Sequence, residues 1–111
     1  VYFINTHLSL GLADQHLQTH FISENVPVDG AMILAGDMNC GSTSLPMKSL
    51  SKSLKLNILT EPHDKSYPSW KPRKDFDHIL ADEKLGRPKA RVVDCTLSDH
   101  RPVQTTLTLK G

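Results

Sequence analysis

Apolar residues in this chain fall into short runs divided by polar turns, and their spacing changes along the way. Val1-Tyr2-Phe3-Ile4 reads as a buried strand running out into Asn5-Thr6-His7-Leu8. After a Ser-Leu-Gly turn the pattern becomes helical from Ala13 to about Asn25. Leu17 and Phe21 define its expected inner face, and Asp14, Gln15, Gln18 and Glu24 its outer one. Val26-Pro27-Val28-Asp29-Gly30 breaks the helix. The run Met32-Ile33-Leu34-Ala35 then stops abruptly at Gly36-Asp37-Met38-Asn39, the signature of a strand buried on both faces. Strand, helix and strand in that order predict parallel strands over 1–6 and 31–36, with their carboxyl ends on one edge. Ligands gather at such edges in open α/β sheets. This edge holds His7, Asp37 and Asn39.

Downstream, Ser44-Leu45-Pro46 has the character of a helix start, with a capping hydroxyl and an early proline. The helix to about Ser53 is expected to bury Met47, Leu50 and Leu54. Leu56–Thr60 reads as a short extended piece, and Glu61–Lys74, rich in proline and charge, as a long ordered loop. Within it Trp70 has two readings: a platform for a base or sugar face, or a pin holding the loop to the core. Asp75–Ala81 is a strand whose alternation puts Asp75, Asp77 and Ile79 on one face and Phe76, His78 and Leu80 on the other. A polar turn over Asp82–Pro88 leads to a strand over Ala90–Cys95. After the polar loop Ser98-Asp99-His100-Arg101-Pro102, Val103, Leu107 and Leu109 alternate with Gln104, Thr106 and Thr108 in a final half-wet strand. No internal repeat breaks this order.

Composition bounds the picture. The 111 residues suffice for one small domain, 38% are hydrophobic and 23% charged, and no apolar run is long enough to span a membrane. The net charge of +1 selects no partner class, but Lys48, Lys52, Lys55, Lys65, Lys71, Arg73 and Lys74 crowd the middle of the chain, where a phosphate backbone could be met. Cys40 and Cys95 lack metal-type spacing and suggest no disulfide framework, so a reducing, cytoplasmic setting is expected and Cys40 reads as a small filler. The chain opens on Val1 inside an apolar run, with no basic leader, and so reads as a piece of something longer.

Polar groups suited to phosphoryl chemistry therefore sit in separate segments: His7, Asp37 with Asn39, Asp77, and Asp99 with His100. A phosphodiester needs an activated water, neutralised non-bridging oxygens and a stabilised transition state. An Asp–His pair supplies a group titrating near neutrality, and carboxylate oxygens suit Mg²⁺ or Mn²⁺. The motifs Asn-Thr-His-Leu, Gly-Asp-Met-Asn, Asp-His-Ile-Leu and Ser-Asp-His-Arg-Pro-Val, in this order, resemble the later motifs of the endonuclease/exonuclease/phosphatase superfamily, the deoxyribonuclease-I-like metal-dependent phosphohydrolases. Ser66-Tyr67-Pro68-Ser69-Trp70 is similar to bacterial members as well.

The resemblance implies an α/β fold of the α+β sandwich type, with this chain (1–111, a single domain) as the carboxyl-terminal half of a two-sheet sandwich flanked by helices, its sheet mixed. It implies that His7 contacts a phosphate oxygen, Asp37 orients or deprotonates the attacking water, and Asn39 helps hold that water and the phosphate. Asp77 would fix His100, and Asp99 would help position Mg²⁺ or Mn²⁺. The family's metal-binding Glu lies on earlier strands, and the Glu residues present, Glu24, Glu61 and Glu83, have no such context. The chain is therefore expected to hydrolyse poorly alone, and its uncovered sheet face to pair with the missing amino-terminal half or to self-associate. Substrates consistent with the motifs are nucleic acid, phosphoinositide and phospholipid head groups. A phosphomonoesterase and a non-catalytic phosphate-binding module are the competing functions.

Overall fold

The computed structural model describes residues 1–109. Strand β1 (Tyr2–His7), helix α1 (Leu12–Asn25) and strand β2 (Met32–Asp37) form the expected crossover unit. Helix α2 (Leu45–Leu54), the short β3 (Leu56–Ile58) and β4 (Asp77–Asp82) follow. A 3-10 turn over Glu83–Leu85 leads to β5 (Arg91–Val92) and β6 (Val103–Gln104), which pair with each other. The main sheet has the order β1-β2-β4-β3 and is mixed: β1 runs parallel to β2, whereas β4 is antiparallel to both β2 and β3.

Alternation along the strands sorts the apolar side chains into two clusters. Met32 and Leu34 of β2 and Leu80 of β4 face the helices, meeting Met47 and Leu50 of α2 and Ile22 of α1. Leu34, Met47, Leu50 and Leu80 are fully buried, each contributing roughly 1.5–3 kcal/mol by leaving water. On the opposite face Ile33 and Ile79 pack with Ala81, Leu59, Leu85, Ala90 and Val103. A hollow of about 620 Å³ lies there, lined by Phe3, Ile33, Ile79 and Val103 and reaching Asp37 and Asp77. Both helices lie on one side, and the opposite face is covered only in part, by Leu59, Leu85, Ala90 and Val103.

Several local expectations change. Strand β1 is an edge strand, so Tyr2 and Phe3 are exposed rather than buried, and only alternate residues are shielded. In β2 the second face is half-buried, because Ile33 and Ala35 look into the hollow. Helix α1 is turned about its axis relative to the expectation: Leu17 and Phe21 are 71% and 66% exposed, while Gln15 and Thr19 are inside. The reason is hydrogen bonding. Gln15 Nε2 donates to the carbonyls of Ser9 and Asn39, so this amide is buried without loss. Ser44 occupies the N-cap position of α2, but its hydroxyl caps nothing and has no partner among the described residues. The expected strands over Ala90–Cys95 and from Val103 onward shrink to two-residue pieces, next to Pro102, which has no N–H for the ladder. Trp70 is 69% exposed and pins nothing.

Candidate active site

The register of the sheet builds the site. His7 pairs with Asp37 across β1 and β2, and Asp37 pairs with Asp77 across β2 and β4. A parallel and an antiparallel neighbour thus deliver three polar side chains to one edge, in a row. Gly36, just before Asp37, has φ +149°, and a Cβ there would overlap the Thr6 carbonyl oxygen. Only glycine lets β1 approach this closely.

Asp37 turns the chain sharply. Its Oδ1 accepts the Asn39 N–H at 2.9 Å, and Asn39 adopts the left-handed conformation at φ +50° that Asn tolerates. The Asn39 amide donates to the Leu8 carbonyl, and the Asn39 carbonyl accepts from Gln15 Nε2 at 3.1 Å. Asn39 therefore ties the end of β1 to the loop after β2. Behind it, the buried His78 donates Nε2–H to the Cys40 carbonyl at 2.7 Å, which leaves Nδ1 to accept from the Thr60 hydroxyl. Cys40 is core filler as expected, and burial pushes its thiol up, away from nucleophilic use.

His100 arrives from the loop before β6. Its Nδ1–H donates to Asp77 Oδ2 at 2.7 Å, which turns Nε2 toward Asp37 Oδ2 at 3.6 Å. The exposed His7 places its Nε2 3.4 Å from that same Asp37 oxygen. Two imidazoles thus flank one carboxylate. The Tyr67 ring packs on His100 with centroids 4.6 Å apart, tilted by 43°. Burial works against a charged His100, but the hydrogen bond to Asp77 and the charges of Asp77, Asp37 and Asp99 outweigh it and raise its pKa above 6.5.

The structure brings His7, Asp37, Asn39, Asp77 and His100 together. Asp37, Asp77 and His100 offer ligand atoms within 4.8 Å of one another. The two carboxylates of this group fit a hard dication that keeps several waters, whereas a charged His100 offers no lone pair to one. Asp99, expected as a metal ligand, is exposed and outside that group; its carboxylate accepts from Ser98 and its carbonyl from the Ser69 N–H. Trp70 lies in the open with Tyr67, Lys71, Arg73 and Lys74 around a separate hollow. Among the described residues no Glu reaches the site: Glu24 meets His20, Glu61 meets His63, and Glu83 accepts from Asn57. Ser66, Tyr67, Gln15 and His78 all hold the site in place. Of these, His78 carried a signal in its position opposite Asp77 in the strand alternation, and Ser66 and Tyr67 in the Ser-Tyr-Pro-Ser-Trp motif, whereas Gln15 was expected on the outer face of its helix.

A family model described as the endonuclease/exonuclease/phosphatase family matches residues 4–100. Among solved structures, a mannosyl-6-phosphatase from Bacteroides thetaiotaomicron is similar at 17% identity and a TM-score of 0.69, over 91% of this chain and 48% of that one. A sphingomyelinase C from Streptomyces griseocarneus shares 22% identity at a TM-score of 0.64, over 91% and 51%. A magnesium-bound beta toxin from Staphylococcus aureus shares 22% at 0.61, over 97% and 52%. At these identities the likeness is one of fold, that of the α/β sandwich. The chain spans about half the length of the solved structures it matches. No curated protein matches it.

Proposed function

The chain belongs to the endonuclease/exonuclease/phosphatase family, a family of hydrolases, and from that premise we propose that it carries the phosphoester-cleaving edge of a Mg²⁺-dependent phosphodiesterase. The observation that carries the reading is the pair of imidazoles, His7 and His100, facing one carboxylate oxygen of Asp37 at 3.4 and 3.6 Å, with Asp77 behind His100.

In this reading Asp37 accepts the proton of the attacking water, and Asn39 fixes the turn that aims Asp37. His100, held charged by Asp77, donates Nε2–H to a non-bridging phosphate oxygen and stabilises the charge that builds there. His7, exposed on the rim, hydrogen-bonds another phosphate oxygen and assists the leaving group. Asp37 and Asp77 are the carboxylates we assign to Mg²⁺ or Mn²⁺; Asp99, next to His100 in sequence, lies outside that group. When bound, the dication supplies charge neutralisation on the phosphate. Trp70, with Lys71, Arg73 and Lys74 beside it, is assigned to the part of the substrate beyond the phosphate: a ring to stack on and further negative charge, as in nucleic acid.

The remoteness of Glu24, Glu61 and Glu83 favours a second reading, in which this chain binds phosphate but turns over poorly until an amino-terminal half completes the domain. The deciding experiment is hydrolysis of bis(p-nitrophenyl) phosphate and p-nitrophenyl phosphate with Mg²⁺, beside His100→Ala. Diester cleavage lost in the variant supports the proposal, and cleavage of the monoester alone makes the protein a phosphomonoesterase. Cleavage that appears only when the upstream half is supplied supports the second reading, and phosphate binding without cleavage of either ester even then supports a non-catalytic binding module.

A further inference from the structure

We propose that Ser66 is a positioning residue of this site, holding the Asp77 carboxylate in the one orientation that receives His100; the proposal rests on the hydrolytic reading above. Ser66 is fully buried, and its hydroxyl donates to Asp77 Oδ2 at 2.5 Å. That is the oxygen that accepts His100 Nδ1–H at 2.7 Å. The terminal torsion of an aspartate is broad, so a carboxylate at the start of a strand has no orientation of its own. A second donor on the same oxygen removes that freedom.

The backbone around Ser66 makes the arrangement a bracket for the His100 loop. The Ser66 N–H donates to the Lys74 carbonyl at 3.0 Å, and its carbonyl accepts the Arg101 N–H at 2.7 Å. The Ser69 N–H donates to the Asp99 carbonyl at 2.8 Å, and Arg101 Nε donates to the Ser69 carbonyl at 2.7 Å. Bonds on both sides of His100 thus come from residues 66 and 69, while the intervening Tyr67 ring packs on the imidazole. One four-residue stretch sets the carboxylate, the loop and the ring plane together. Partners that orient a working side chain from behind are typically worth about 10–100-fold in function.

Ser66→Ala isolates the hydroxyl, because the space it vacates is too small for a water. The readout is the Nδ1–H proton of His100 in the ¹⁵N-labelled chain, assigned by its loss in His100→Ala. In Ser66→Ala this proton should exchange with solvent about tenfold faster than in wild type, or more, at an unchanged far-UV circular dichroism spectrum. With bis(p-nitrophenyl) phosphate and Mg²⁺, kcat should fall about 10–100-fold and KM stay within about twofold. In an Asp77→Ala background, which leaves no carboxylate to hold, the serine substitution should lower kcat no further, whereas mere loosening of the loop would cost as much there as in wild type. An unchanged exchange rate in Ser66→Ala, or an undiminished loss of kcat in the Asp77→Ala background, overturns the assignment. Should wild type cleave neither ester even with the upstream half supplied, the hydrolytic reading fails, and the exchange measurement still decides what Ser66 does.

Discussion

Replacing Asp77 by asparagine should make stability depend on pH in a way that reports the Asp77–His100 pair directly. In wild type Nδ1–H donates to a carboxylate at 2.7 Å, with the two side chains 26% exposed for His100 and 19% for Asp77. Hydrogen bonds to charged groups contribute about 1.5–3 kcal/mol, and partial screening at this exposure places the pair in the lower half of that range. The amide introduced by Asp77→Asn can place its oxygen where Oδ2 stood and accept from both Ser66 and His100, but it brings no charge to the imidazole. Because the pKa of His100 is raised in the folded state, its contribution is present in full below its unfolded value near 6.5 and is lost as the pH climbs through the folded one. The Asp77→Asn variant should therefore be about 2 kcal/mol less stable at pH 6, some 8 °C in Tm, and about 1 kcal/mol less stable at pH 9. Urea unfolding followed by far-UV circular dichroism is the assay, since the exposed Trp70 makes a poor fluorescence reporter. An equal penalty at both pH values would refute the charged pair.

Other outcomes follow from single residues. Gly36→Ala should cost about 3 kcal/mol or more, because its Cβ meets the Thr6 carbonyl oxygen of β1; a variant that melts like wild type would contradict that approach. His7→Ala should leave Tm within about 1 °C, as befits an exposed side chain, yet lower kcat for a phosphodiester about 10–100-fold. Mg²⁺ should raise Tm in wild type and not in Asp37→Asn, with EDTA reversing the rise, as measured by thermal shift. The uncovered face carrying Phe3, Ile33, Ile79 and Val103 should drive self-association visible in light scattering, which Phe3→Glu relieves; a monodisperse monomer would count against it.

What could be read from the sequence was what depends on period and order. Strand, helix, strand predicted the parallel pairing, and with it the His7–Asp37 neighbourhood that the register delivers. The alternation around Asp77 correctly separated His78 from it. What could not be read depended on partners distant in sequence. Leu17 and Phe21 look like the inner face of α1 until one knows that the carbonyls of Ser9 and Asn39 await Gln15. Ser66 belongs to a motif whose resemblance gave it no task, and its task shows only once the Asp77 carboxylate is placed beside it. The burial of Val1–Ile4 was overestimated because an apolar run does not say whether its strand lies at the edge of the sheet.

The order β1-β2-β4-β3 has a kinetic consequence. His7, Asp37, Asp77 and His100 lie 30, 40 and 23 residues apart along the chain, and β4 enters the sheet between β2 and β3, which precede it. Every pairing that builds the site closes a long loop before it gains a contact, which slows folding. The helices, being local, should form early, and the row of polar groups at the sheet edge should assemble last. After dilution from denaturant, circular dichroism should recover ahead of phosphate binding, so that ligand capture serves as a clock for the final docking step.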